Sequence, residues 1–165
     1  MIDTSNLDIL KTYVVNEIGD SEEAKIIQEL QHQVYKNIPV NDIATHTWAL
    51  RFKNGQWLAY ENHLKHGGIA EFPVSQYSSD AKRFLINPYP LNNDSLDYHL
   101  KFNPGYSLLN LAEIVEKRLI GLPLPNTKGW VCSQSIAAGN YKICLDLNLK
   151  FEVLCPIDFQ YYFTK

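Results

Sequence analysis

THTWALRFKNGQWLAYEN, residues 45–62, sets two β-rich runs on either side of Asn54-Gly55. An Asn-Gly pair between alternating runs is the strongest short hairpin signal, because both central turn positions need positive φ. A two-residue turn pairs Lys53 with Gln56 and, counting outward, Trp48 with Glu61 and His46 with His63. Alternation then puts His46, Trp48, Leu50, Phe52, Trp57, Ala59, Glu61 and His63 on one face. Thr47, Ala49, Arg51, Leu58, Tyr60 and Asn62 occupy the other. The first face is largely apolar and is expected to be the core side.

Polar residues stand at one end of that face only, where His46 and Glu61 are diagonal neighbours with backbones about 7 Å apart, within reach of a side-chain hydrogen bond. A histidine oriented by a carboxylate is the base half of a nucleophile, base and orienter arrangement. The plainer reading is a partly buried His46 bonded to backbone and a solvated strand-end Glu61, and the hairpin alone favours it. A slip of one residue would move Glu61 to the opposite face, so the pairing depends on the turn.

Around the hairpin, TYVVNEI (12–18) has the pattern of a short strand. SEEAKIIQELQHQVYKN (21–37) repeats apolar residues at Ala24, Ile26, Ile27, Leu30, Val34 and Tyr35, a helical spacing with Asp20 or Ser21 as N-cap. GGIAEFPV (67–74) and RFLINPY (83–89) predict further strands. YSLLNLAEIVEKRL (106–119) puts Leu108, Leu109, Leu111, Ala112, Val115 and Leu119 on one broad helical face that Gly121 closes, with LPLPNTKG as an extended loop. A short helix is expected from Cys132 to about Tyr141, and the tail KFEVLCPIDFQYYF is read as one last strand and an aromatic packing segment. These elements predict a single α+β domain, an antiparallel sheet packed against helices.

Cys132 follows a loop and opens a predicted helix, where unpaired amides and the positive end of the helix dipole favour a thiolate and could stabilise an oxyanion. A small buried thiol packed beneath Trp130 fits the same residues. On this stretch the two readings stand level. Cys144 and Cys155 lack helix-start features and read as packing residues, although they could also pair with each other. Five histidines and three cysteines show no paired-ligand spacing for zinc, and KHGGIAE lacks the order of a phosphate loop.

A net charge of -3 with no run of Lys or Arg argues against nucleic acid and anionic lipid as partners. No segment approaches the ~18 apolar residues of a membrane span. The N-terminus lacks the pattern of a signal peptide, which predicts a cytoplasmic protein and leaves export by another route open. Oligomeric state is not readable.

The order of features, a His strand, a Glu on the next strand, a Gly-containing strand, a long helix and a Cys opening a helix, resembles the circularly permuted branch of the papain-like NlpC-type cysteine peptidase and amidase superfamily. The matching pieces are THTWALRFKNGQWLAYEN, HGGIAEFPVSQY, PGYSLLNLAEIVEKRL and WVCSQSIAAG, over roughly residues 43–159, with residues 1–40 as an N-terminal strand and helix extension. The resemblance implies a permuted papain-like fold, Cys132 as nucleophile, His46 as base and Glu61 as the polar third residue. It also implies hydrolysis of an amide in a peptide or small acyl substrate, such as cell-wall peptides, with no cofactor. Gln134 departs from the Cys-Ser-Glu motif of that superfamily. THTWA is also similar to the His-Trp start of the lecithin:retinol acyltransferase-like branch, which implies acyl transfer or thioester cleavage as the alternative. A different class, an inactive binding module, would use tyrosines outside the clearest core patterns: Tyr89, Tyr98, Tyr161 and Tyr162. Tyr106 could contribute to the site or cap the core above the long helix, with the core favoured, and His63 is left without a role.

Overall fold

Five strands form one antiparallel sheet in the computed structural model, which describes residues 2–120 and 129–164. They are β1 (Tyr13–Ile18), β2 (His46–Lys53), β3 (Gln56–His63), β4 (Gly68–Pro73) and β5 (Arg83–Pro88), ordered β4-β3-β2-β1-β5. The turn that anchors them forms as read: Asn54 and Gly55 take φ of 54° and 79°. The register follows, from Lys53 opposite Gln56 to Ala49 opposite Tyr60. β1 is no appendage. It lies between β2 and β5 and pairs Glu17 with His46 on one side and with Phe84 on the other.

Among the described residues six helices pack around the sheet: α1 (Glu22–His32), α2 (Asn93–Phe102), α3 (Leu108–Ile120), α4 (Cys132–Ala137), α5 (Lys142–Asp146) and α6 (Pro156–Thr164). Ser21 caps α1 by accepting from the Ala24 N–H at 3.1 Å. The buried face of α1 is Ala24, Ile27, Gln28 and Gln31, while Ile26 is exposed. Buried Gln28 and Gln31 donate to the Ile43 and Ala44 carbonyls, and so tie α1 to the chain just before β2. In α3 the buried residues include Leu111, Ile114 and Val115, and Leu109 faces outward. The predicted closure at Gly121, and all of the LPLPNTKG loop except Gly129, lie outside the described residues.

Two readings of the C-terminal third are corrected. The helix opened by Cys132 ends at Ala137, and a turn separates it from α5. The tail forms no strand: after a 3-10 turn at Phe151–Val153 it is helical from Pro156 to Thr164. The start signal was present, with Pro156 at the first helical position and Asp158 accepting from the Cys155 N–H at 2.8 Å. α2 has an equivalent signal in Asn92, whose side chain accepts from the Ser95 N–H.

The apolar face of the hairpin is a core face as read, and the opposite face of the central strands is buried as well. Trp48, Leu50, Ala59, Tyr13 and Val15 do form a core cluster, but the chain that covers it is Ile2, Leu7, Val74 and Tyr77 rather than helices. The helices pack on the opposite face, over Val14, Ala49, Tyr60 and Ile69, joined by Leu96, Ile136 and Phe159. Helix packing on that face is compatible with Thr47, Arg51 and Asn62 because each makes a hydrogen bond, although among the described residues the buried Tyr60 hydroxyl has no partner. Arg51, 1% exposed, bonds Glu71 and Asp97, and Asn62 donates to the Trp130 carbonyl at 3.1 Å. Tyr89, expected at the surface, is buried in this cluster. All three cysteines are free and buried, so Cys144 and Cys155 do not pair.

Candidate active site

His46 opens β2 at the rim of the sheet, and Glu61 reaches it from β3 along the predicted diagonal. His46 Nε2 is 2.9 Å from Glu61 Oε2. Both are buried, Glu61 completely. The other carboxylate oxygen is held by groups from the turn after β3, His66 Nε2 at 2.8 Å and Lys65 Nζ at 3.0 Å. A buried carboxylate is stable only if its lone pairs are met, and here three nitrogens meet them.

The third residue arrives from far along the chain. Gly129, Trp130 and Val131 are bolted into place ahead of Cys132: Asn62 donates to the Trp130 carbonyl, Ser107 N–H donates to the same oxygen at 3.2 Å, and Asn110 donates to the Gly129 carbonyl at 3.1 Å. Gln134 Oε1 then accepts from the Val131 N–H at 2.9 Å, so the residue that departs from the Cys-Ser-Glu motif closes the first turn of α4. Ser133 and Ser135 bond the Leu154 and Cys132 carbonyls. Cys132 is thereby brought near the His46 imidazole, near enough for the two side chains to interact. The structure brings together the three residues singled out in the sequence.

No family model matches the chain, and no curated protein is a significant match to it.

Within the trio, His46 and Glu61 carry opposite charges. Burial alone would strip the proton from His46, but the charge and hydrogen bond of Cys132, with those of Glu61, raise it to about 10. Burial likewise opposes a charged Glu61, yet His46 and Lys65 bring it down to about 2. His63 stands edge-on to His46 at 5.0 Å, and burial together with the His46 charge lowers it to about 4. Its Nδ1 accepts from the Lys65 N–H, which assigns the neutral ring its Nε2–H tautomer. Tyr106 stacks on His63 at 5.9 Å, and burial and the charge of Cys132 push its hydroxyl pKa upward. Tyr106 is therefore a residue of this site and not a cap on the core.

A cleft of about 560 Å³ opens over His46, walled by His63, Tyr106, Tyr77 and Glu17 and reaching the start of α1. Sequence reasoning missed Glu17, Lys65, His66 and Tyr77. Glu17 was hidden because no local signal sets the register of β1 against β2, and Lys65 and His66 because a 3-10 turn folds them back. Among the described residues no group of three or more His, Cys, Asp or Glu could hold a metal ion, and no helix is long and apolar enough to cross a membrane.

The sign of the Glu61 shift gives a stability prediction. A carboxyl held at about 2 instead of its usual 4.5 contributes stability above pH 4.5 and loses it as pH falls toward 2. Urea unfolding of the wild type is expected to lose on the order of 3 kcal/mol across that window from this group. Glu61→Gln, less stable at neutral pH, should show a visibly flatter acid limb. An unchanged limb would mean Glu61 is not held as described.

Proposed function

We propose that this chain is a thiol hydrolase acting on an amide or ester carbonyl, with Cys132 as nucleophile, His46 as base and acid, and Glu61 as the group that orients the imidazole. The observation that carries this reading is the continuous line from Glu61 through His46 to Cys132. Glu61 takes one ring nitrogen, and Cys132 lies near the same ring. That is the nucleophile, base and orienter relation of covalent acyl transfer.

In the proposed cycle Cys132 Sγ attacks the carbonyl carbon, and the resulting oxyanion takes hydrogen bonds from the Cys132 backbone N–H and the Tyr106 hydroxyl, which burial keeps neutral. Collapse breaks the carbonyl bond to the leaving group, which takes its proton from His46 Nδ1. Neutral His46 then accepts a proton from water as that water attacks the thioester, releasing the acid and restoring the pair. Glu61 keeps the ring from rotating, and His66 and Lys65 keep Glu61 from moving. Acyl transfer to an acceptor other than water would share the first half of this cycle.

Alkylation by iodoacetamide tests the reading without a known substrate. At pH 7 Cys132 should be labelled far faster than Cys144 and Cys155, both of which burial pushes toward the protonated thiol. His46→Ala should slow labelling of Cys132 at least tenfold. Equal labelling of the three cysteines, or no effect of His46→Ala, would count decisively against a thiol hydrolase.

A further inference from the structure

Glu17 lines the cleft that opens over His46, and the reaction proposed above gives it no task. In the β1 and β2 ladder it lies directly opposite His46, so both side chains emerge on the same face of the sheet. It is only 7% exposed, yet it lines the cleft. Its partners are two hydroxyls from the loop after β4: Tyr77 donates to Oε2 at 2.5 Å and Ser79 donates to Oε1.

A carboxylate this deeply buried ordinarily faces a cation, as Glu61 and Asp158 do here. Glu17 forms no ion pair among the described residues. Two hydroxyl bonds fill part of its accepting capacity, since a carboxylate offers about four lone-pair sites. Tyr77 and Ser79 also fix its orientation, while Tyr77 is itself pinned by stacking on Trp48 at 4.3 Å. The cleft around it is net acidic, although protonated His46, bonded to Glu61, also lines it. Glu23 and Asp80 line it without ion pairs among the described residues, Glu22 is shared with Lys25, and the lysine of the wall, Lys65, is committed to Glu61.

We propose that Glu17 is the specificity-determining residue of the cleft and reads a cationic group, an ammonium or guanidinium, on the substrate close to the carbonyl that Cys132 attacks. The inference rests on the hydrolase reading of this site. A rigid, oriented carboxylate beside His46 gives an incoming cation a charge-assisted bond without reorganisation, and the acidic rim raises the local concentration of cations. An anionic substrate would meet Glu17 before it met Cys132.

The test treats the chain of residues 1–165 with three reagents that each form a disulfide with the attacking thiolate and release methanesulfinate. The methanethiosulfonates carry a cationic aminoethyl, a neutral methyl or an anionic sulfonatoethyl group, and modification of each cysteine is followed by peptide mapping. The expected result at Cys132 is a cation-to-anion rate ratio of at least ten, reduced at least threefold by Glu17→Gln. Because Glu17 also anchors Tyr77 and Ser79, protection of the wild type serves as a second measurement. Millimolar n-butylammonium should slow labelling of Cys132 by the neutral reagent, and n-butanol and butyrate should not. A ratio near one, a ratio unmoved by Glu17→Gln, or equal protection by all three additives overturns the role of Glu17 while fast neutral labelling leaves the hydrolase reading standing. Should the neutral reagent modify Cys132 no faster than Cys144 and Cys155, both readings fall together.

Discussion

Cys132→Ala is expected to abolish acylation by p-nitrophenyl acetate, in which the wild type should release a burst of about one p-nitrophenolate per chain. Loss of the nucleophile from an arrangement of this kind costs on the order of 10⁴-fold or more, because base and orienter have nothing left to activate. The fold should survive. Alanine removes one buried sulfur, and α4 is held by Val131 bonding to Gln134, by Ser133 bonding to Leu154 and by its packing on Ala49 and Tyr60. Far-UV circular dichroism unchanged from wild type, together with the lost burst, is the expected pair of results. A burst that persists in Cys132→Ala would place the reactive group elsewhere and end the proposal for this site. His46→Ala should lose most of the same burst while retaining Cys132.

Arg118→Met is expected to have the largest effect on stability, and it lies away from the cleft. Arg118 Nη1 is 2.8 Å from both oxygens of Asp158, whose side chain is completely buried. Asp158 also accepts from Tyr35 at 2.8 Å and from the Cys155 N–H, and the Arg118 guanidinium lies 5.2 Å over the Tyr35 ring. One ion pair therefore joins α3, α6 and the segment after α1. Removing the cation leaves a buried charge without compensation, a loss of about 3–5 kcal/mol. For a chain of this size that is a Tm lower by about 10 °C. The double variant Arg118→Met, Asp158→Asn should recover much of the loss, because the amide oxygen still accepts from Cys155 and carries no charge. Urea unfolding of the wild type and these two variants checks this, and a loss under 1 kcal/mol in Arg118→Met would show the pair to be unimportant.

Much of the sheet was legible because its signals are local. Asn54-Gly55 demands a turn with two positive φ values, and that turn dictates every pairing in the hairpin. From it follows the meeting of His46 with Glu61, two residues fifteen apart in the chain. Strands β1, β4 and β5 and helices α1 and α3 were visible from apolar patterning. Where the reading failed, a short-range signal had been outweighed or overlooked. The aromatic tail has the composition of a strand, but Pro156 and Asp158 start a helix there. The hairpin's apolar face reads as a core side, but nothing in the pattern tells that aromatic and loop residues rather than helices cover it. The helices instead chose the face with small Ala49 and partnered Arg51 and Asn62.

The candidate site divides along the same line. From the sequence alone came the α+β class, the hairpin register, the His46 and Glu61 contact, and Cys132 as the residue to watch. Tertiary structure alone decided that Cys132 reaches His46, because the hydrogen bonds that hold residues 129–131 come from Asn62, Ser107 and Asn110, and no periodicity encodes contacts so distant. It also decided that Glu17 stands beside His46, that Lys65 and His66 hold Glu61, and that His63 and Tyr106 line the same cleft. A turn acts through neighbouring backbone dihedrals and can be read from two letters. A charge balance in a buried cleft is summed over every element that borders it, and it exists only once they are packed together.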